Sequence, residues 1–142
     1  MRFMMLVIPK GYETAKPGTM PDAKAIDAMS KFNESLQKAG VLLDANGLQP
    51  SAEGWRIHYR GGERRVVDGP FAETKELIAG YTLIQVRNRD EAMEWARRFP
   101  APMGEGVDAV LEVRPLYELG DFEPSEAIER ERRIGEKLAK RV

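Results

Sequence analysis

Arg2-Phe3-Met4-Met5-Leu6-Val7-Ile8 is the stretch on which the fold turns. Alternate residues of a strand point to opposite faces. Phe3, Met5 and Val7 therefore share one face and Met4, Leu6 and Ile8 the other, so both faces of this strand are apolar. A second extended stretch over residues 79–87 has the same character. There Tyr81, Leu83 and Gln85 lie against Thr82, Ile84 and Val86.

Two helical patterns flank these strands. From about Pro21 to Ala39, the residues Ile26, Met29, Phe32, Leu36 and Ala39 recur at steps of three and four and share one face. Pro21 suits the first helical turn, and Gly40 suits a left-handed cap. Asn88 and Glu91 stand at capping-box spacing before a second helix that runs to about Phe99. Its inner stripe is Ala92, Trp95, Ala96 and Phe99, and Pro100 and Pro102 end it. Residues 10–21 form a loop. Val41 to Asp44 is extended and is ended by Asn46-Gly47, and a last strand covers Asp108 to Arg114.

Residues 54–67 are expected to form a hairpin. Trp55, Ile57 and Tyr59 alternate with Arg56, His58 and Arg60, and Gly61-Gly62 supplies the turn. The order of strand, helix, strand, hairpin, strand, helix, strand implies an α+β fold: a ferredoxin-like split βαβ sandwich with an inserted hairpin. Two helices cover one face of such a sheet. A sheet that is apolar on both faces must bury the other elsewhere, and a second copy related by a two-fold axis does this most simply. The expectation is a homodimer.

The 142 residues suit one domain over 1–120 and a charged tail over 121–142, helical or mobile. In that tail Ile128, Ile134, Leu138 and Val142 are the large apolar residues, and the helix either moves freely or lies on a partner subunit. With 22 basic and 23 acidic residues the formal charge is -1, which gives no long-range field for nucleic acid. The absence of cysteine excludes disulfides, thiolate metal sites and a cysteine nucleophile. There is neither a secretory leader pattern nor an apolar run long enough for a bilayer, so a soluble cytoplasmic protein without membrane partners is expected. No metal or redox cofactor is expected.

Asp68-Gly69-Pro70-Phe71-Ala72-Glu73-Thr74-Lys75-Glu76 is the most distinctive string. Asp68 before Gly69-Pro70 is turn chemistry. Phe71 and Tyr81 offer aromatic walls beside the polar Glu73, Thr74, Lys75 and Glu76, which is the composition of a small-molecule pocket. A carboxylate desolvated beside Phe71 could act as a general base, which makes Asp68 the catalytic candidate. Phe71, Glu73, Lys75, Tyr81 and Arg114 are the ligand-binding candidates. Lys75, Tyr81 or Arg114 would hold the negative end of a small acidic or aromatic metabolite. The competing reading is structural: Asp68 caps the turn, Phe71 plugs the core, and Glu73 and Lys75 are a solvated face. The single histidine, His58, reads as a solvated strand residue, and the arginines around it as an exposed stripe.

The same string resembles the signature of the DGPF-motif branch of the YCII-related family. Its flanks agree: Ala39-Gly40-Val41-Leu42-Leu43, Gly47-Leu48-Gln49-Pro50, Ala79-Gly80-Tyr81, Glu94-Trp95 and Glu112-Val113-Arg114-Pro115. The resemblance covers roughly residues 1–120 and implies a dimeric α+β barrel of ferredoxin-like subunits. Some relatives are enzymes, including a dehydrochlorinase. DGPF-motif members are often encoded beside, or fused to, sigma factors of the extracytoplasmic-function type. Enzymatic relatives carry a His–Asp pair with the histidine near the start of the first helix. Here no histidine stands in residues 1–40, and Phe99-Pro100 replaces their Asp-Pro. The resemblance thus leaves two functions open: a metal-free lyase or isomerase, and a non-catalytic regulatory or accessory protein associated with a sigma factor.

Overall fold

The computed structural model describes residues 1–11, 15–72 and 77–141. Its strands are β1 (Arg2–Pro9), β2 (Leu42–Gly47), β3 (Trp55–Arg60), β4 (Glu63–Asp68), β5 (Gly80–Gln85) and β6 (Ala109–Pro115). Its helices are α1 (Ala23–Lys38), α2 (Arg89–Arg97) and α3 (Glu126–Ala139), with short 3-10 turns at Ser51–Glu53 and Leu119–Asp121.

Four strands form one antiparallel sheet in the order β2-β5-β1-β6. β1 and β2, joined through α1, are separated by β5. β5 and β6, joined through α2, are separated by β1. This is the strand order that a split βαβ plan requires. β3 and β4 pair separately as a two-stranded hairpin.

The register settles which residues share a face. Met5 lies opposite Thr82 and Val113, and Phe3 opposite Ile84. This face meets the helices: Phe3, Met5, Ile84 and Val86 pack with Phe32 and Leu36 of α1 and Ala92 of α2. Phe32 joins the two helices, with its ring edge-on to Trp95 at 6.2 Å and to Phe99 at 5.2 Å. Such edge-on pairs add to the area they bury.

The helices end where side-chain and backbone chemistry end them. Gly40 takes φ 75°, and the N–H groups of Gly40 and Val41 donate to the Gln37 and Leu36 carbonyls at 2.9 and 3.0 Å. Asn88 Oδ1 accepts from the Glu91 N–H at 2.9 Å and starts α2. Ser125 does the same for α3 through the Ile128 N–H at 3.2 Å.

Three details differ from the sequence reading. Pro21 lies before α1, whose N-cap is Asp22. Ile26, placed on the inner stripe by its spacing, stays exposed in the second turn of α1, and the buried stripe is Phe32 and Leu36. Asn46 and Gly47 are the last two residues of β2 rather than a break after it, opposite Tyr81 and Gly80, beyond a bulge between Leu42 and Asp44. The close approach explains Gly80: a Cβ there would lie 3.1 Å from the Asn46 carbonyl oxygen.

Candidate functional site

The other face of the sheet carries the candidate site. Met4 lies between Leu83 and Arg114, Leu6 between Tyr81 and Glu112, and Ile8 opposite Val110. Asp44 and Asn46 of β2 extend the first two rows, opposite Leu83 and Tyr81. Met4, Leu6, Ile8, Tyr81 and Leu83 are only half-buried, and Val110 is 54% exposed. The centre of this face is therefore apolar, with polar groups on both margins.

On the β2 margin those polar groups are organised. The Tyr81 hydroxyl donates to Asp44 Oδ2 at 3.0 Å and accepts from Asn46 Nδ2 at 3.0 Å. Asn46 Nδ2 also donates to Asp44 Oδ1 at 3.1 Å. A phenol held by an acceptor and a donor has a fixed orientation, as a group that must meet a ligand requires. The sequence reading named Tyr81 but not Asp44 or Asn46. Their signal was their alternation in an extended segment, hidden while Asn46-Gly47 read as the end of that segment. On the β6 margin Arg114 is exposed, with Glu112 Oε2 3.9 Å from its Nη1.

The signature string lies at the base of the hairpin. Asp68 is the last residue of β4, opposite Trp55, and is exposed. The Gly69 N–H donates to the Gly54 carbonyl at 3.0 Å, and the Phe71 N–H donates to Ser51 Oγ at 3.1 Å. The Arg56 guanidinium lies 4.0 Å from the centre of the Phe71 ring. A Cβ on Gly69 would collide with the Ser51 carbonyl, so glycine here permits two backbone segments to touch. Gly69 and Phe71 thus clamp the hairpin to the Ser51–Glu53 turn. Glu73, Thr74, Lys75 and Glu76 lie outside the described residues.

The candidate residues accordingly fall into two groups. Tyr81 and Arg114 share the open sheet face; Asp68 and Phe71 stand together at the hairpin base. His58 is exposed opposite Arg65, on the hairpin face away from Trp55. Among the described residues, no group of three or more His, Cys, Asp or Glu side chains could hold a metal ion. Nor is any helix among them long and apolar enough to cross a membrane.

Among the described residues two carboxylates are held below their ordinary range. Glu118 accepts from Arg2 Nε and Nη2 at 3.1–3.2 Å, and those hydrogen bonds favour its charged form. Glu91 accepts from the Arg87 backbone N–H at 3.1 Å and from Arg87 Nε at 3.0 Å, with the same effect. Both pairs fasten elements together, the first joining β1 to the turn after β6 and the second opening α2.

Comparison with known proteins points one way. The model of the YCII-related domain matches residues 1–117. An uncharacterised protein of Rhizobium meliloti (strain 1021) is 36% identical over 103 residues, covering 71% of this chain and 82% of that relative.

Proposed function

The chain belongs to the YCII-related domain family, and from that premise we propose that it works as a two-fold dimer holding a small acidic or aromatic metabolite between its two open sheet faces. In this reading it is a member of the DGPF-motif branch and its dimer forms an α+β barrel. The observation that carries it is the make-up of the open face: half-buried Met4, Leu6 and Leu83 at the centre, the Tyr81–Asp44–Asn46 network on one margin and Arg114 on the other. Apolar surface of this kind is stabilised by burial, at roughly 25 cal/mol per Å². Twisted sheets packed face to face touch near their middles and diverge towards the corners. The polar margins would then line the gaps, where a ligand enters.

The chemistry follows from those groups. Arg114 pairs with a carboxylate, and the oriented Tyr81 hydroxyl hydrogen-bonds a carbonyl or phenolate oxygen. Phe71, Glu73 and Lys75 of the signature string are proposed as further ligand contacts. Asp68 is the group that would move a proton, giving a lyase or isomerase that needs no metal. The placement of His58, exposed on the hairpin, favours a second reading, in which the dimer binds without turnover as a regulatory or accessory protein beside a sigma factor.

Thermal unfolding with a panel of small aliphatic and aromatic carboxylates tests the binding claim. A true ligand at a hundred times its Kd adds about 2.7 kcal/mol. Arg114→Ala and Tyr81→Phe should each reduce that gain. Stabilisation that survives both substitutions together would contradict the site. Asp68→Asn then separates the two readings: an enzyme loses turnover but keeps its affinity, and a binder keeps all it had.

A further inference from the structure

Two exposed apolar patches lie outside the sheet, and they carry opposite charge. The first is one face of the hairpin. The register puts Trp55, Ile57, Tyr59, Val66 and Arg64 on it, with Asp68 at its base, and Trp55 and Tyr59 are 64% and 70% exposed. Arg64 lies 5.2 Å from the centre of the Tyr59 ring; Arg60 and Arg65 stand at the same tip on the hairpin's other face, where Glu63 lies opposite Arg60, so the tip keeps a net positive charge. The second patch follows β6. Tyr117 and Phe122 stack at 5.1 Å and remain 76% and 44% exposed. From Leu116 to Glu129 the chain carries Glu118, Asp121, Glu123, Glu126 and Glu129 and no lysine or arginine.

Aromatic surface of this extent is costly to leave in water, and clustered aromatic residues rimmed by charge are what an interface displays. Neither patch is covered in the single chain. An aromatic hairpin with a net positive tip and an aromatic segment with a net negative charge on one sequence are complementary to each other. Two-fold symmetry would use each pairing twice in a dimer. We infer that the β3–β4 hairpin of one copy docks on the acidic Tyr117–Glu129 segment of a second copy, with Trp55, Ile57 and Tyr59 packing against Tyr117 and Phe122 and the tip arginines facing Glu123 and Glu126. This goes beyond the ligand-binding proposal and shares with it only the need for two copies. It gives the hairpin a purpose that the signature string alone does not: Gly69 and Phe71 fix the base so that the tip reaches a neighbour at a set angle.

Charge reversal tests the contact in a way that loss of folding cannot imitate. One variant carries Arg60→Glu with Arg64→Glu, and another carries Glu123→Lys with Glu126→Lys. Each alone sets like charges against each other, and its dimer dissociation constant should rise at least tenfold by analytical ultracentrifugation. Mixed in equal amounts, the two variants should form a heterodimer of near wild-type affinity, because both contacts in it regain opposite charges. Variants that dimerise as tightly as the wild type would overturn the inference, as would weakened variants that mixing fails to rescue. If Leu83→Glu is monomeric while both charge variants dimerise normally, sheet packing stands and the hairpin contact falls. A wild-type protein that is monomeric from the start overturns both.

Discussion

A methyl group at position 69 would collide with the Ser51 carbonyl, whereas the neighbouring Asp68 side chain is exposed. The two residues of the signature therefore answer to different constraints. Gly69→Ala should destabilise the fold by about 2–4 kcal/mol, because backbone must move, and Asp68→Asn should change stability by under about 0.5 kcal/mol. Urea denaturation of both variants checks this, and equal effects would contradict it. Glu118 gives a pH-dependent case. Its folded pKa is lowered by Arg2, so its contribution is fully present above the ordinary carboxylate value and fades as pH falls through the folded one. Screened by solvent, the pair is worth about 1 kcal/mol at most. Glu118→Gln should thus lower stability slightly at pH 7, and the difference from wild type should vanish at the acid end of a pH series. At this scale the Gly40 cap was legible in the sequence. The sequence hid Asp44 and Asn46, because their meaning depends on a partner strand 35 residues away.

Elements were legible wherever a local signal agreed with the tertiary need. Asn88 capped α2 as its spacing to Glu91 indicated, and the Gly61-Gly62 turn joined β3 to β4. Asn88→Ala should cost about 1 kcal/mol, readable as a lower midpoint in urea. The misreadings arose where a local signal met a different use. Asn46-Gly47 has the composition that ends a strand, yet both residues still pair with β5, opposite Tyr81 and Gly80. Ile26 keeps the spacing of the buried stripe but lies near the start of α1, away from the Phe32 and Leu36 contacts. Leu36, fully buried against the sheet, shows what a true stripe position is worth: Leu36→Ala should cost about 2–5 kcal/mol. α3 forms a regular helix whose residues are nearly all exposed, and its start was readable from Pro124-Ser125.

For the whole molecule, the alternation in β1 and β5 foretold a sheet with one face against helices and one apolar face left over, and the chain folds in that way. Under the dimer proposal, what covers the remaining face is a property of two chains, which one sequence encodes only as an excess of apolar area. Leu6→Glu places a charge at the centre of that face, outside the helix-facing core. It should leave the circular dichroism spectrum native while disrupting the assembly. The most direct measurement is the mass of the wild-type protein by light scattering at micromolar concentration. A particle of twice the 16.0 kDa chain is expected. A stable, natively folded species of 16.0 kDa would contradict the claim that a second copy covers the open sheet.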